Sequence, residues 1–242
     1  MDALSSADDF FLQYTGLGYN AFRTMLLESS ESYEKFDLMM STYISLGNHR
    51  RLTHRMAFVR HVAFALPAPE TIQSIYRAFL THQETFPSAR FIDMGAGSGV
   101  FCWLLQRAGI PKEKLVAVDL PEDRKTQEFI CCYWDGIIRD ESYTPNPEDL
   151  LFVAWGYEQD EEDVVGAPFI SCWSPVQRYI DAGGQCVMIL GEDEGGVTTS
   201  CDAMKSVPGW KTVYERAVLP SCNAWGSDYL TMSVRDDTMI SA

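Results

Sequence analysis

The sequence predicts an α/β protein: a doubly wound, mostly parallel sheet preceded by a helical N-terminal segment. Three observations carry that class. From residue 90 onward, short apolar runs alternate with helical stretches. A glycine-rich turn, Gly95-Ala96-Gly97-Ser98-Gly99, stands directly between the first run and the first helix. Asp119 closes the second run, 24 residues beyond Gly95, and such sheets bring that strand end beside the glycine turn.

Residues 1–87 read as helices. Tyr19, Phe22, Met25 and Leu26 keep three-four spacing, as do Phe36, Met39, Met40, Tyr43 and Ile44. Leu66-Pro67-Ala68-Pro69-Glu70 is a stop and restart, with Pro69 suited to the first position of a helix and Glu70 to its positive end. Ile72, Ile75, Tyr76, Phe79 and Leu80 supply that helix with an apolar stripe. This N-terminal segment is expected to cap a sheet domain of residues 88–242. In that domain the strands are read at 90–94, 115–119, 150–154 and 186–190, with helices at 100–108 and 175–182. Two weaker strands, 212–218 and 229–234, have no glycine-marked helix between them and suit an antiparallel pair. A third strand belongs between residues 131 and 149, where no strand pattern is visible.

Composition narrows the function classes. With 242 residues, 46% of them hydrophobic, the chain can bury a sizeable core. Its 34 acids against 19 bases give a net charge of −15, of which −13 falls in residues 88–242. That surface repels phosphate backbones and disfavours a general nucleic-acid binder. The seven cysteines are odd in number and show no CxxC spacing, which reads as reduced thiols rather than a disulfide or zinc framework. His49, His54 and His61 lack ligand spacing, so no metal site is expected. The acidic N-terminus lacks a signal-peptide pattern, and no 18-residue apolar run occurs. A cytoplasmic protein without a membrane partner is expected.

The stretch Asp93-Met94-Gly95-Ala96-Gly97-Ser98-Gly99 carries the most chemistry. Glycines permit a tight turn and close approach of a ligand to the backbone, although such turns also occur for packing alone. Asp119 suits acceptance of two ribose hydroxyls, or capping of the following turn. A dinucleotide loop spaces its glycines G-x-G-x-x-G after an apolar strand. Here the third glycine comes one residue early and Asp93 precedes the first by two. This D-x-G-x-G-x-G pattern resembles the first motif of class I S-adenosylmethionine-dependent methyltransferases. The resemblance implies a seven-stranded sheet and S-adenosyl-L-methionine as cofactor. By position it puts Asp93, Met94, Gly95, Ala96, Gly97 and Gly99 at the methionyl and sulfonium end, Asp119 and Leu120 at the ribose, and Ala154 beside the cofactor. An acid in the loop suits an ammonium and a sulfonium, whereas beside a pyrophosphate it would cost Coulomb energy. Leu66 to Glu70, Leu150 to Trp155 and Leu190-Gly191-Glu192 extend the resemblance to a small subgroup of that family, over about residues 60–235.

The methyl acceptor is expected over the carboxyl end of the fourth strand, at Ala154-Trp155-Gly156-Tyr157-Glu158. The Asn/Asp-Pro-Pro-Tyr motif of amino-methylating family members is missing there. Trp155 and Tyr157 suit an aromatic wall for a cationic or planar substrate, with Trp155 equally suited to core filling. Glu192 and Tyr157 are the candidates for a general base, and Glu192 also suits a turn cap. Residues 158–163 and 192–194 carry eight acids that would frame the rim and gather cationic acceptors. The basic group His49-Arg50-Arg51, His54, Arg55, Arg60 and His61 suits docking of the cap on the acidic body, or phosphate contacts in an RNA methyltransferase. The reading is a methyltransferase for a small-molecule or protein acceptor. A cofactor-binding module without chemistry and, more weakly, a nicotinamide oxidoreductase are the competing classes.

Overall fold

The computed structural model of the chain describes residues 67, 69–119, 133–140, 142–154, 173–192, 203–217 and 228–236. The helices read before residue 66, the basic group at 49–61 and the acidic stretches 158–163 and 193–194 lie outside the described residues, as do Leu120, Trp155 and Tyr157.

The first described helix, α1 (Pro69–Thr85), starts at the expected proline. Ile72, Ile75 and Phe79 of its stripe are fully buried. Leu80 is 41% exposed, so the buried face is narrower than the apolar stripe. The chain then runs through β1 (Phe91–Met94), α2 (Val100–Arg107), a 3-10 turn at Lys112–Lys114 and β2 (Leu115–Asp119). After that come β3 (Ile138–Arg139), β4 (Leu150–Ala154), α3 (Trp173–Asp181) and β5 (Cys186–Glu192). A 3-10 turn at Ala203–Ser206 leads into β6 (Trp210–Ala217) and β7 (Asp228–Arg235). The strand missing from the sequence pattern is β3, which has only two residues.

The strands form one seven-stranded sheet in the order β3-β2-β1-β4-β5-β7-β6. Strands β1 to β5 pair in parallel. Strand β7 runs antiparallel to both β5 and β6, so the sheet is mixed, with one reversed strand. The expected antiparallel late pair is present, and a bulge between Thr212 and Tyr214 interrupts it.

Alternate residues of the central strands enter opposite cores. Phe91, Leu150, Phe152, Cys186, Met188 and Leu190 pack with α1 and α2. Ile92, Met94, Leu151, Val153, Val187 and Ile189 pack with Val176 and Tyr179 of α3 and with Met204. Both faces are covered, which is why these strands read as unbroken apolar runs instead of alternating ones.

The amino end of the sheet is locked by buried polar groups. The Asp149 carboxylate, 1% exposed, accepts the Arg90 amide at 3.0 Å, Arg90 Nε at 3.2 Å, Arg90 Nη2 at 2.7 Å and the Asn146 amide at 2.8 Å. These bonds tie the start of β1 to the start of β4. The Tyr179 hydroxyl donates to the Asp149 and Pro147 carbonyls and accepts the Gln185 and Cys186 amides at 3.0 and 3.2 Å. Its ring lies so close to Gly184 that a Cβ there would sit 2.4 Å from it. Tyr179→Phe removes that junction while keeping the ring. It should cost about 1–3 kcal/mol in urea unfolding, and an unchanged midpoint would show that the hydroxyl does not hold β4 and β5 together.

Candidate functional site

In an open parallel sheet, ligands bind outside the carboxyl ends of strands where the strand order reverses. Here the order runs outward from β1 through β2 and β3 on one side and through β4 and β5 on the other. The switch point therefore lies between the carboxyl ends of β1 and β4, at Met94 and Ala154. The glycine turn leaves β1 there.

Gly95, Gly97 and Gly99 have φ of +79°, +55° and +72°, the left-handed region. Side chains there cost energy, so the spacing of three glycines reflects the backbone path. The Gly95 and Ala96 amides both donate to the Val118 carbonyl at 2.9 Å. Those two bonds stitch the turn to the end of β2 and bring the next residue, Asp119, to the site. The Gly99 amide donates to the Ala96 carbonyl at 2.8 Å. Three of the amides that a phosphate-binding turn would aim at its ligand are thus engaged inside the protein.

Residues 133 and 134 close over the turn. The Tyr133 amide donates to the Ser98 carbonyl at 2.8 Å. A Cβ on Gly99 would lie 2.4 Å from Trp134 Cβ, so Trp134 packs where only glycine leaves room. Trp103 lies 5.3 Å from the Tyr133 ring, and Lys112 Nζ sits 5.3 Å from the Trp134 centroid. Sequence reasoning did not find this aromatic cover, because nothing in the spacing links Trp134 to a glycine 35 residues earlier.

Asp93 is 1% exposed, on the β1 face that it shares with Phe91. Its Oδ2 has no hydrogen-bond partner among the described residues. Burial, and then the negative charge of Asp119, push its carboxyl up to about 8 from an ordinary value of 3.8. Cys102 of α2 is also fully buried and is raised by burial and by Asp93, so it stays a thiol. Asp119 ends β2 with its side chain 18% exposed, and Arg139 Nη1 donates to its Oδ2 at 2.8 Å. Arg139 is a second contact the sequence did not reveal, since β3 is too short to show a pattern.

The structure thus brings Asp93, Met94, Gly95, Ala96, Gly97, Gly99 and Asp119 to one end of β1 and β2. Ala154, half-buried, ends β4 at the same rim. Glu192 is the last residue of β5, two positions beyond Leu190, which pairs with Ala154. Among the described residues no group of three or more His, Cys, Asp or Glu could hold a metal ion. No described helix is long and apolar enough to cross a membrane. A shallow cavity of about 400 Å³ lined by Lys205, Trp210 and Tyr214 lies along β6, at the far edge of the sheet from the glycine turn.

A mixed seven-stranded sheet with this turn at its switch point is the arrangement that the class I methyltransferase resemblance implies. The sheet agrees with that expectation, with β7 reversed.

No protein-family model matches the sequence, and no curated protein matches it. Solved structures do match. Magnesium protoporphyrin IX methyltransferase from Synechocystis PCC 6803, with bound SAM, is 11% identical, covering 78% of this chain and 86% of its own at a TM-score of 0.44. Cofactor-bound Rv0187 from MTB is 13% identical, covering 79% and 93%, at a TM-score of 0.44. The O-methyltransferase TomG from Streptomyces achromogenes, involved in tomaymycin synthesis and in complex with SAM, is 10% identical, covering 78% and 91%, at a TM-score of 0.41.

Gly95→Ala meets open space and should cost only the left-handed strain, about 1–2 kcal/mol. Gly99→Ala must also displace Trp134 and should cost more in the same urea titration; equal losses would show that Trp134 does not press on the turn. Folded Asp93 holds its proton up to about pH 8, while the unfolded chain releases it near 3.8. Its contribution to stability therefore falls as pH rises through that window. Urea unfolding at pH 5 and pH 8 should show wild type losing stability relative to Asp93→Asn, and a gap that does not change with pH would contradict this.

Proposed function

We propose that the chain is an S-adenosylmethionine-dependent methyltransferase for a small-molecule or protein acceptor, with an amine or other cationic acceptor favoured. The observation that carries the reading is the buried Asp93 carboxyl, whose Oδ2 has no hydrogen-bond partner among the described residues, beneath a glycine turn bonded to the carbonyl of Val118, the neighbour of Asp119. An orphaned buried acid is costly unless something cationic completes it. The donor set fits this cofactor: an acid for its ammonium, a second acid for its ribose hydroxyls, and positive-φ glycines that allow close approach. It suits a pyrophosphate less well, because the Gly95, Ala96 and Gly99 amides are already bonded within the protein.

When bound, the cofactor supplies an electrophilic methyl group. The part of the protein is then placement, because an in-line displacement is accelerated chiefly by holding the reacting atoms near and aligned. Asp93 holds the amino end and Asp119 the ribose, so the two acids fix both halves of the ligand along the rim. The acceptor would enter over Ala154 and the residues that follow it. Trp155 and Tyr157 are proposed as its aromatic wall, and Glu192 or Tyr157 as the group that removes a proton from an acceptor arriving protonated. The acids of 158–163 and 192–194 would draw cationic acceptors toward this rim.

Isothermal titration of the pure protein with S-adenosylmethionine, or with its demethylated product S-adenosylhomocysteine, tests the reading, and no binding of either would sink it. Asp119→Ala should weaken binding by about 1–3 kcal/mol. At pH 7 the free protein holds a proton on Asp93, and pairing with an ammonium drives that proton off. Binding should therefore release protons, seen as a dependence of the measured heat on the buffer's ionisation enthalpy. The dependence should be lost in Asp93→Asn. Transfer of a labelled methyl group to amine-bearing small molecules and proteins tests the chemistry itself.

A further inference from the structure

We infer that Arg139 is a positioning residue for ligand binding, acting through its ion pair to hold the Asp119 carboxylate ready for the nucleoside hydroxyls. This rests on the cofactor reading above and adds a residue to it.

The placement of Arg139 is specific. Strand β3 consists of Ile138 and Arg139 alone, and its register sets Arg139 directly beside Asp119 at the carboxyl end of β2. Side chains on one face of neighbouring strands lie about 5 Å apart, and the guanidinium closes that gap to 2.8 Å. The strand contributes little to the core: Ile138 is 36% exposed. What β3 delivers at this rim, besides two rungs of ladder, is one positive charge against the ribose acid.

A carboxylate that must meet two vicinal hydroxyls has to keep one orientation, because both oxygens take part. Each oxygen has two lone pairs, so accepting Arg139 at Oδ2 is compatible with accepting a hydroxyl. The arginine also offsets the repulsion that Asp119 exerts on Asp93 once Asp93 ionises. The pair is partly exposed, at 25% for Arg139 and 18% for Asp119, and such pairs add little to folding stability. Its consequence therefore falls on affinity.

The test is isothermal titration of S-adenosylhomocysteine into wild type, Arg139→Gln, Arg139→Lys, Asp119→Asn and the Asp119→Asn/Arg139→Gln double variant, with urea unfolding of each. Arg139→Gln should bind about tenfold more weakly at an unchanged unfolding midpoint. Arg139→Lys, which keeps the charge, should recover most of the affinity. In the Asp119→Asn background the second substitution should add no further loss, because Arg139 acts through that carboxylate. Wild-type affinity in Arg139→Gln, or an equal loss in both backgrounds, would overturn the assignment while leaving the cofactor reading in place. Absence of binding to wild type would remove the cofactor reading, and the role of Arg139 with it.

Discussion

The constraint on which the site depends is a buried acid, Asp93, whose Oδ2 has no partner among the described residues. Asp93 and Asp149 are equally buried, each 1% exposed, yet their surroundings are opposite. Asp149 accepts four donors from Arg90 and Asn146, so its desolvation is compensated within the fold. The Oδ2 of Asp93 has no partner among the described residues, and the charge that acts on it, Asp119, is of the same sign. A chain that satisfies one buried carboxylate so fully shows that it has the means. The unsatisfied one sits at the switch point of the sheet, where such folds bind ligands.

Stability at that end comes from elsewhere. The amino ends of β1, β4 and β5 are joined through Arg90, Asp149 and the Tyr179 hydroxyl, and both faces of those strands are covered by apolar side chains. The carboxyl ends are held by backbone instead: two amides of the glycine turn on the Val118 carbonyl, and the Tyr133 amide on Ser98. Backbone bonds fix the turn and leave Asp93 Oδ2 without a partner among the described residues. The cost of an orphaned carboxyl at one end is thus tolerated because the other end is overdetermined, as expected of a functional site set on a rigid scaffold.

The legible parts of this molecule were those built from neighbours in sequence. The strands at 91–94, 115–119, 150–154 and 186–192 are apolar runs, and α1 announces itself through Pro69 and its stripe. The turn Gly95–Gly99 and Asp119 were readable because the fold places them by a short local path. What escaped depends on contacts across the chain. Strand β3 is two residues long, too short for any periodicity, and so Arg139 carried no signal. Trp134 meets Gly99 only in three dimensions. Leu80 belongs to an apolar stripe and still faces solvent, since spacing predicts a face but not the width of what covers it.

The charge balance of the site then bears on which ligand it accepts. Overall the chain is strongly acidic, at −15, but the two acids at the ends of β1 and β2 carry little net charge between them and Arg139 in the free protein. Arg139 pairs with Asp119, and Asp93, its carboxyl raised to about 8, keeps its proton at neutral pH. A phosphate would find no unpaired cation there among the described groups, and the Gly95, Ala96 and Gly99 amides are already bonded. A cationic ligand would meet the opposite situation: its charge favours ionisation of the buried Asp93, and each would stabilise the other. The ionisation that burial suppresses is the one that such a ligand restores. On the proposed reading, a preference for a cationic ligand over a phosphate would follow from the proton that Asp93 holds beneath the glycine turn.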